Sequence, residues 1–219
     1  MNSINRKTFC AAVAALAAFA LWTAAVCFVD VEPIGPMGSA VGLVSINRPI
    51  HSLTGVHMNL YLLTDWLGLV PLAFALGFAL LGFAQWLKRK KIRLVDRSIL
   101  ALGGFYLAVM AAYLLFERFV INYRPVLIDG YQEASYPSST TMLVLCVMST
   151  ALMQFHHRIK KPTLRRWVSL LVWAFSGFMV VGRLVSGVHW FSDIVGGALL
   201  SAGLVLLYYS VSGLAHNRI

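Results

Sequence analysis

The sequence predicts an all-α membrane protein built as a bundle of six transmembrane helices. Of its 219 residues, 59% are hydrophobic and 12% are charged, whereas a soluble domain carries roughly 25% charged residues. The apolar residues are gathered into stretches of about 20, which is the helix length needed to cross a bilayer. These observations indicate a single integral-membrane domain over residues 1–219.

Six apolar windows define the expected spans. They are residues 8–29, 66–87, 98–117, 139–156, 167–182 and 190–212. The fifth window is short, and its helix can continue through Arg183 to Ser186. The first window resembles a signal peptide in its basic start and alanine content, but its length of about 22 residues favours a retained span.

Residues 30–65 form a long segment between the first two spans. Their partly apolar composition predicts a stretch that lies in the membrane interface or re-enters it. Tyr61 and Trp66 are expected at headgroup depth, where amphipathic aromatic rings are common.

Lysine and arginine are concentrated in alternate loops. With the N-terminus inside, the cytoplasmic segments hold 14 of these residues and the outer segments hold 4, which are Arg48, Arg118, Arg124 and Arg183. The positive-inside rule therefore predicts that both termini are cytoplasmic. The net charge of +10 is then a topology signal next to anionic lipid, and no nucleic-acid partner is expected.

The cysteines give no sign of a metal or disulfide site. Cys10, Cys27 and Cys146 all lie in apolar windows, without CxxC or CxxxH spacing. Neither a disulfide framework nor a zinc site is indicated, and we expect no metal and no cofactor.

Polar residues that could do chemistry cluster at the outer ends of several spans. They are Arg118 and Arg124 after the third span, Ser138, Ser139 and Thr140 at the start of the fourth, Arg183 at the end of the fifth, and His189 and Asp193 at the start of the sixth. Ionisable groups at a membrane boundary are costly and usually functional. Three segments that are distant in sequence are therefore expected to converge on the outer face.

These residue types suit phosphoryl chemistry. His189 and Asp193 are four residues apart, so on a helix they share a face, and the carboxylate would orient the imidazole. Arg124 and Arg183 provide planar donor groups suited to phosphate. The turn at Ser138 begins a helix, where free backbone N–H groups favour an anion.

Plainer roles remain open for some of these residues. The hydroxyl groups of Ser138, Ser139 and Thr140 could act only as helix caps. Arg118 and Arg183 could be interface anchors. His51 and His57, which also lie on the outer side, could belong to the interface or to the site.

The pattern resembles the phosphatidic acid phosphatase type 2 superfamily, the lipid phosphate phosphatases related to bacterial acid phosphatases and vanadium haloperoxidases. That family has the motifs Lys-x6-Arg-Pro, Pro-Ser-Gly-His and Ser-Arg-x5-His-x3-Asp. Here the third motif is the specific match, with Gly182-Arg183, five residues, His189, three residues and Asp193. The resemblance covers residues 110–200.

The resemblance implies six helices with the site on the outer face. It implies that His189 is the nucleophile, with Asp193 as its partner. Phosphate-binding roles pass to Arg124, Arg183 and Ser138.

Two motif positions differ from the family. Glu117 occupies the lysine position of the first motif, and the neighbouring Arg118 can replace that lysine only if the helix end rotates, since one residue turns a helix by about 100°. Thr140 occupies the position of the histidine that protonates the leaving group, and threonine cannot act as an acid near neutral pH.

The sequence therefore predicts an integral-membrane phosphatase acting on a lipid phosphate or diphosphate at the outer membrane face through a phospho-histidine intermediate. One alternative is a non-catalytic or weakly active relative that binds lipid phosphates. Another is a small transporter, but transporters usually place charged or broken-helix features near the middle of their spans, and here the ionisable residues gather at the span ends.

The charge count generates a test of sidedness. In a background without the three native cysteines, Tyr131→Cys should react with a membrane-impermeant thiol reagent in intact cells, and Lys90→Cys should react only after lysis. The asymmetry is expected because basic loops stay on the cytoplasmic side. Labelling of position 90 but not 131 in intact cells would invert the topology.

Overall fold

The computed structural model describes residues 3–212, and the regular elements in that range are helical. The α-helices are α1 (Ser3–Phe28), α2 (Val44–Thr54), α3 (Met58–Leu67), α4 (Leu69–Arg89), α5 (Arg97–Arg118), α6 (Ser139–Arg158), α7 (Pro162–Val185) and α8 (Phe191–Val211). Short 3₁₀ turns lie at Pro36–Gly38 and Ile92–Leu94. The predicted all-α class is confirmed.

Six helical stretches within the described residues are long and apolar enough to cross a membrane. They are Asn5–Phe28, Met58–Arg89, Arg97–Arg118, Ser139–Arg158, Pro162–Val185 and Phe191–Val211. The predicted number of spans is confirmed, and the fifth extends beyond its apolar window to Val185. Arg218, counted above as cytoplasmic, lies outside the described residues.

The second span differs from the sequence prediction. It begins at Met58 rather than at residue 66, because α3 and α4 follow one another through Gly68. The break between them is explained by Pro71, which has no N–H to donate to the carbonyl of Leu67. The side chain of Tyr61, which was expected at headgroup depth, is buried by protein.

Helix α1 packs along α8. The indole Nε1–H of Trp22 donates to the carbonyl of Ser192 at 3.0 Å, and Thr23 Oγ1 lies 2.7 Å from the Tyr136 hydroxyl. At Gly203 an added Cβ would lie 2.6 Å from a methyl of Leu16, so the glycine allows close approach. Helix α1 is therefore packed closely into the bundle.

Helix α6 is the central element of the bundle. More than half of its most apolar stretch is buried, a larger share than in any other span of residues 3–212. Met142 and Cys146 belong to a cluster with residues of α5 and α8. Val144 and Met148 belong to a second cluster with α7. Both faces of α6 are therefore covered by protein.

At one end of the bundle, a polar clamp joins the α4–α5 turn to α6. Gln85 donates to Asp96 at 2.8 Å and accepts from its backbone N–H at 2.9 Å. Arg89 and Arg158 approach the same carboxylate at 3.1 and 3.7 Å. The Asp96 side chain is thus shared between two basic side chains and an amide.

The other end carries the segments that join α1 to α3, α5 to α6 and α7 to α8. Gln132 Nε2 donates to the carbonyl of Pro36 at 2.6 Å, and the backbone N–H of His57 donates to the carbonyl of Ser186 at 2.9 Å. The segment between α1 and α3 therefore contacts both of the other two segments at this end of the bundle.

Candidate active site

A glycine turn places His189 between α7 and α8. Gly187 has φ of +70°, and a Cβ there would lie 1.8 Å from the carbonyl oxygen of Gly55, so the turn needs a residue without a side chain. The following His189 is only 2% exposed. Its Nδ1 faces Asp193 Oδ2 at 3.7 Å, which is longer than an N–H···O hydrogen bond.

The carboxylate of Asp193 is fixed by several donors. Oδ2 accepts the backbone N–H of Trp190 at 2.9 Å, and Oδ1 accepts from Asn122 Nδ2 at 3.3 Å. The side chain is fully buried. A carboxylate so supplied with donors is held in one orientation behind the imidazole.

Asn47 on α2 hydrogen-bonds to the start of α8, in the corner of the bundle formed by His189, Asp193 and their neighbours. Its Oδ1 accepts the backbone N–H of Ser192 at 3.0 Å, and its Nδ2 donates to the Ser192 hydroxyl at 2.9 Å. The Ser192 hydroxyl in turn lies 3.5 Å from Asp193 Oδ1. Helix α2 is therefore tied to the start of α8 through a buried amide.

The guanidinium of Arg183 is almost completely buried against α3. It donates to the carbonyl of Tyr61 at 3.4 Å and to Thr64 Oγ1 at 3.3 Å, and it lies 3.5 Å from Asp65 Oδ1. The Asp65 side chain is 57% exposed, whereas that of Arg183 is 1% exposed. A buried cation is thus paired with a solvated carboxylate.

A second arginine packs on the same aromatic ring. Arg124 lies 5.6 Å and Arg183 4.8 Å from the ring centre of Tyr61. Arg124 Nε also lies 3.0 Å from Glu133 Oε2, whose side chain is half-exposed. Contact with an aromatic face stabilises a cation by about 0.5–2 kcal/mol, which partly offsets the repulsion between two neighbouring guanidinium groups.

The first turn of α6 reaches the same place. The N–H of Ser138 donates to the carbonyl of Asp193 at 3.0 Å, and its hydroxyl accepts the N–H of Thr141 at 3.4 Å, so Ser138 is a helix cap. The N–H groups of Ser139 and Thr140 find no acceptor within residues 3–212. Gly197 on α8 allows the close approach of Ser138, since a Cβ on residue 197 would lie 3.0 Å from the Ser138 carbonyl oxygen.

Several buried nitrogen atoms in this corner have no hydrogen-bond partner among the described residues. They are Nδ1 and Nε2 of His189, Nε and Nη1 of Arg124, and Nε of Arg183. The Arg124–Glu133 contact is short, but its angle does not meet that of a hydrogen bond. Buried polar atoms are normally paired, and donors of this kind would be satisfied by an anion with several oxygens, such as phosphate.

The surroundings keep His189 neutral. Burial disfavours the charged imidazolium and lowers the pKa of His189 to about 4, and the positive charges of Arg124 and Arg183 act in the same direction, while Asp193 opposes them. Near neutral pH the ring therefore has an unprotonated nitrogen, which is the form that can attack an electrophile.

The sequence profile of the PAP2 superfamily matches residues 101–216, which is more than half of the chain. The protein belongs to the PAP2 superfamily.

A solved structure has a similar fold. It is described as the first transmembrane PAP2 type phosphatidylglycerolphosphate phosphatase, from Bacillus subtilis. The match has a TM-score of 0.55 and covers 95% of this chain and 98% of the other, at 19% sequence identity. No curated protein sequence gives a match. Family and fold together support a membrane phosphatase role for this PAP2 protein.

Three other residues singled out from the sequence make different contacts. Arg118 is exposed at the end of α5, with its guanidinium 5.9 Å from the ring centre of Phe119. His57 is exposed and its Nε2 lies 2.9 Å from the carbonyl of Thr54. His51 has its Nε2 at 3.1 Å from the carbonyl of Gly187 and its ring 5.2 Å from that of Trp190.

The residues that contact the two arginines and support Asp193 were not predicted from the sequence. They are Asn47, Tyr61, Thr64, Asp65, Asn122 and Glu133. One signal in the sequence pointed to this group. Asp65 is an ionisable residue at a predicted span boundary, as Arg183 is, and Tyr61 lies four residues before it on the same helix face. Nothing in the sequence marks Asn47, since its partner Ser192 is distant in the chain.

The lowered pKa of His189 predicts how stability depends on pH. Between about 4 and about 6.5 the unfolded chain binds a proton at this residue that the folded PAP2 protein does not, so the free energy of unfolding should fall as pH drops through this range. His189→Gln should remove this contribution. The measurement is the thermal unfolding midpoint in detergent from about pH 7.5 to about pH 4.5.

His157→Gln is the matched control, because His157 is an exposed histidine near the end of α6. The control should follow the wild type at every pH. A difference between wild type and His189→Gln that stays constant across the range would contradict the assignment of a buried neutral imidazole.

Proposed function

We propose that this protein is a phosphatase that hydrolyses a lipid phosphate or diphosphate at the outer membrane face through a phospho-histidine intermediate. The observation that carries the proposal is the group of buried, unpartnered nitrogens of His189, Arg124 and Arg183. They combine a neutral nucleophile with fixed positive charge at one point. That combination is what phosphoryl transfer requires.

In the first step, His189 Nε2 attacks the phosphorus atom. The new P–N bond forms as the P–O bond to the lipid breaks, and the departing oxygen leaves as an alkoxide or phosphate that takes up a proton. The proton on Nδ1 remains directed at Asp193, whose negative charge stabilises the phosphorylated imidazolium.

In the second step, water attacks the phosphorus atom from the side opposite to the histidine. The P–N bond breaks and its electron pair returns to Nε2, while the water loses a proton and inorganic phosphate forms. Neutral His189 is regenerated, so no external reductant, oxidant or metal enters the balance.

The charge that develops on the three equatorial phosphate oxygens would be met by fixed donors. Arg124 and Arg183 supply the guanidinium groups, and the free N–H groups of Ser139 and Thr140 supply the positive end of α6. Donors that are already oriented cost no reorganisation at the moment of reaction.

A lipid substrate is supported by a cavity beside the site. It measures about 360 Å³, lies between α4, α5 and α6, and is lined largely by apolar side chains, with Ser139 and Thr140 at one end. An acyl chain in this cavity would bring its head group to the start of α6. The similar solved structure is described as a phosphatidylglycerolphosphate phosphatase, which also favours a lipid phosphate.

The outer face is supported by the distribution of charge. The loops at the end opposite His189 carry most of the lysines and arginines, and such loops remain cytoplasmic. The site would then be open to lipids of the outer leaflet.

One observation favours a second candidate, a weakly active or non-catalytic protein that binds lipid phosphates. Thr140 stands at the position of the family's acid histidine, and Glu117 stands at that of its lysine. Glu117, Tyr136 and Ser139 line one small cavity. Relative to the family motifs, residue 117 therefore lacks the positive charge of a lysine and residue 140 lacks the proton of an acid histidine.

The nucleophile assignment predicts the behaviour of three variants. Release of inorganic phosphate from a panel of lipid phosphates should be abolished in His189→Gln and strongly reduced in Asp193→Asn, which keeps an acceptor for Trp190. His157→Gln should retain full activity. Phospho-histidine is acid-labile, so the reaction is quenched with alkali. With a substrate labelled in its phosphate, alkaline quenching of wild type should leave labelled phosphate on the protein.

The two candidates separate in this experiment. An active His189→Gln protein would exclude His189 as the nucleophile. Wild-type protein that binds lipid phosphates but neither releases phosphate nor becomes labelled would identify the non-catalytic alternative.

Thr140 predicts a preference among leaving groups. General acid catalysis is typically worth about 10²–10⁴-fold, so an alkoxide should leave slowly without it. A leaving phosphate monoester needs less help, since its second pKa is about 6. We therefore expect faster cleavage of lipid diphosphates than of monoesters, and Thr140→His should raise the monoester rate.

A substitute acid would give a different pattern. His51 contacts the loop that carries His189 and is a stronger candidate than His57, which is exposed and bonded to Thr54. In that case His51→Gln or His57→Gln should slow monoesters more than diphosphates. Both explanations would be contradicted if wild type cleaved monoesters and diphosphates at equal rates and neither histidine substitution changed those rates.

A further inference from the structure

A second apolar cavity lies between α4 and α5, towards the end of the bundle opposite His189. It measures about 340 Å³ and is lined almost entirely by apolar side chains. Phe78 and Tyr106 lie at its deep end, and Trp86 and Ile92 lie near the α4–α5 turn. Tyr106 also lines the cavity beside Thr140, so the two cavities lie on either side of this residue.

Basic residues are concentrated where the chain passes this end of the cavity. Lys88, Lys90, Lys91, Arg93 and Arg97 are interspersed in the chain with residues that line it, and all five are exposed. Within residues 3–212, none of these five side chains forms a salt bridge. The nearby carboxylate of Asp96 is already shared by Arg89 and Arg158.

The turn that carries these cations is held in place. Gln85 and Arg89 on α4 both bond to Asp96, and Arg89 also donates to the carbonyl of Leu94. These contacts fix the Ile92–Leu94 turn across the gap between α4 and α5. The basic residues are therefore presented at a defined position beside the cavity.

We propose that this cavity binds an anionic phospholipid from the leaflet opposite the active site, with one acyl chain between α4 and α5 and the phosphate against the basic turn. Charge complementarity selects the ligand, because an anionic lipid brings net negative charge to these basic residues and a zwitterionic lipid brings none. The nine residues from Phe78 to Trp86 span about 12 Å of helix, which is most of the roughly 15 Å hydrocarbon thickness of one leaflet.

The geometry provides a spectroscopic test. Trp86 lines the cavity and is 46% exposed, so a bromine atom on a bound acyl chain should quench its fluorescence. Purified protein in mixed micelles is titrated with brominated phosphatidylglycerol or brominated phosphatidylcholine. Subtracting the signal of Trp86→Phe from that of wild type isolates the contribution of this residue.

We expect half-maximal quenching of Trp86 at a lower mole fraction of phosphatidylglycerol than of phosphatidylcholine. The expected factor is roughly fivefold for each basic residue that meets the phosphate. Lys90→Gln/Lys91→Gln should remove much of the difference. Arg165→Gln/Arg166→Gln removes the same charge from exposed positions on α7 and should leave it unchanged.

Two neighbouring glycines test the cavity itself. A Cβ at Gly103 or at Gly104 would meet no atom within 4 Å, but only Gly103 lines this cavity. Gly103→Leu should fill it and abolish the preferential quenching. Gly104→Leu makes the same change of side chain on the same helix and should behave as wild type.

The proposal is overturned if both lipids quench Trp86 equally, or if Gly103→Leu and Gly104→Leu give the same titration. Phosphatidylglycerol is a phosphodiester and carries no terminal phosphate for the proposed phosphatase to remove. The result in His189→Gln should match that of wild type, so failure of the catalytic proposal would leave this test unaffected.

Discussion

The buried carboxylate of Asp193 is the contact on which the geometry of the site end depends. It accepts the N–H of Trp190 and the amide of Asn122, and it faces His189. The backbone carbonyl of the same residue accepts the N–H of Ser138. One residue therefore joins the start of α8, the segment after α5 and the start of α6. A buried carboxylate that lost these donors would be strongly destabilised, so the three segments are held together as a unit.

The two arginines impose the opposite constraint, because like charges must be kept close together in a buried place. The bundle meets this need with α3, which lies before the part of the chain that matches the PAP2 profile. Tyr61 offers its ring to both guanidinium groups, and Thr64 and Asp65 contact that of Arg183. The family motifs therefore supply the proposed reacting groups, and a helix outside them supplies part of the support.

The sequence predicted the number of spans and that Ser138, His189 and Asp193 lie at one end of the bundle, but not what holds them. Apolar windows locate a helix by its lipid-facing side chains, so the start of the second span was missed where Asn59, Thr64 and Asp65 lower the hydropathy. The partners of Asp193 and Arg183 could not be read from spacing, because Asn47–Ser192 and Tyr61–Arg183 are contacts between distant parts of the chain. Motif spacing reports residues that share a turn or helix face, while supporting contacts depend on how the helices pack.

In both ion pairs at the site the arginine is buried and the carboxylate is more exposed, which suits the proposed binding of an anion. Arg183 and Arg124 are 1% and 9% exposed in their side chains, whereas their partners Asp65 and Glu133 are 57% and 42% exposed. A half-exposed carboxylate loses little when it turns to water, since solvated ion pairs contribute only about 0–1 kcal/mol. The buried guanidinium groups cannot follow, because an uncompensated buried charge is costly. Under the proposed function, an arriving phosphate would therefore meet cations that stay in place and would displace carboxylates that can turn to water.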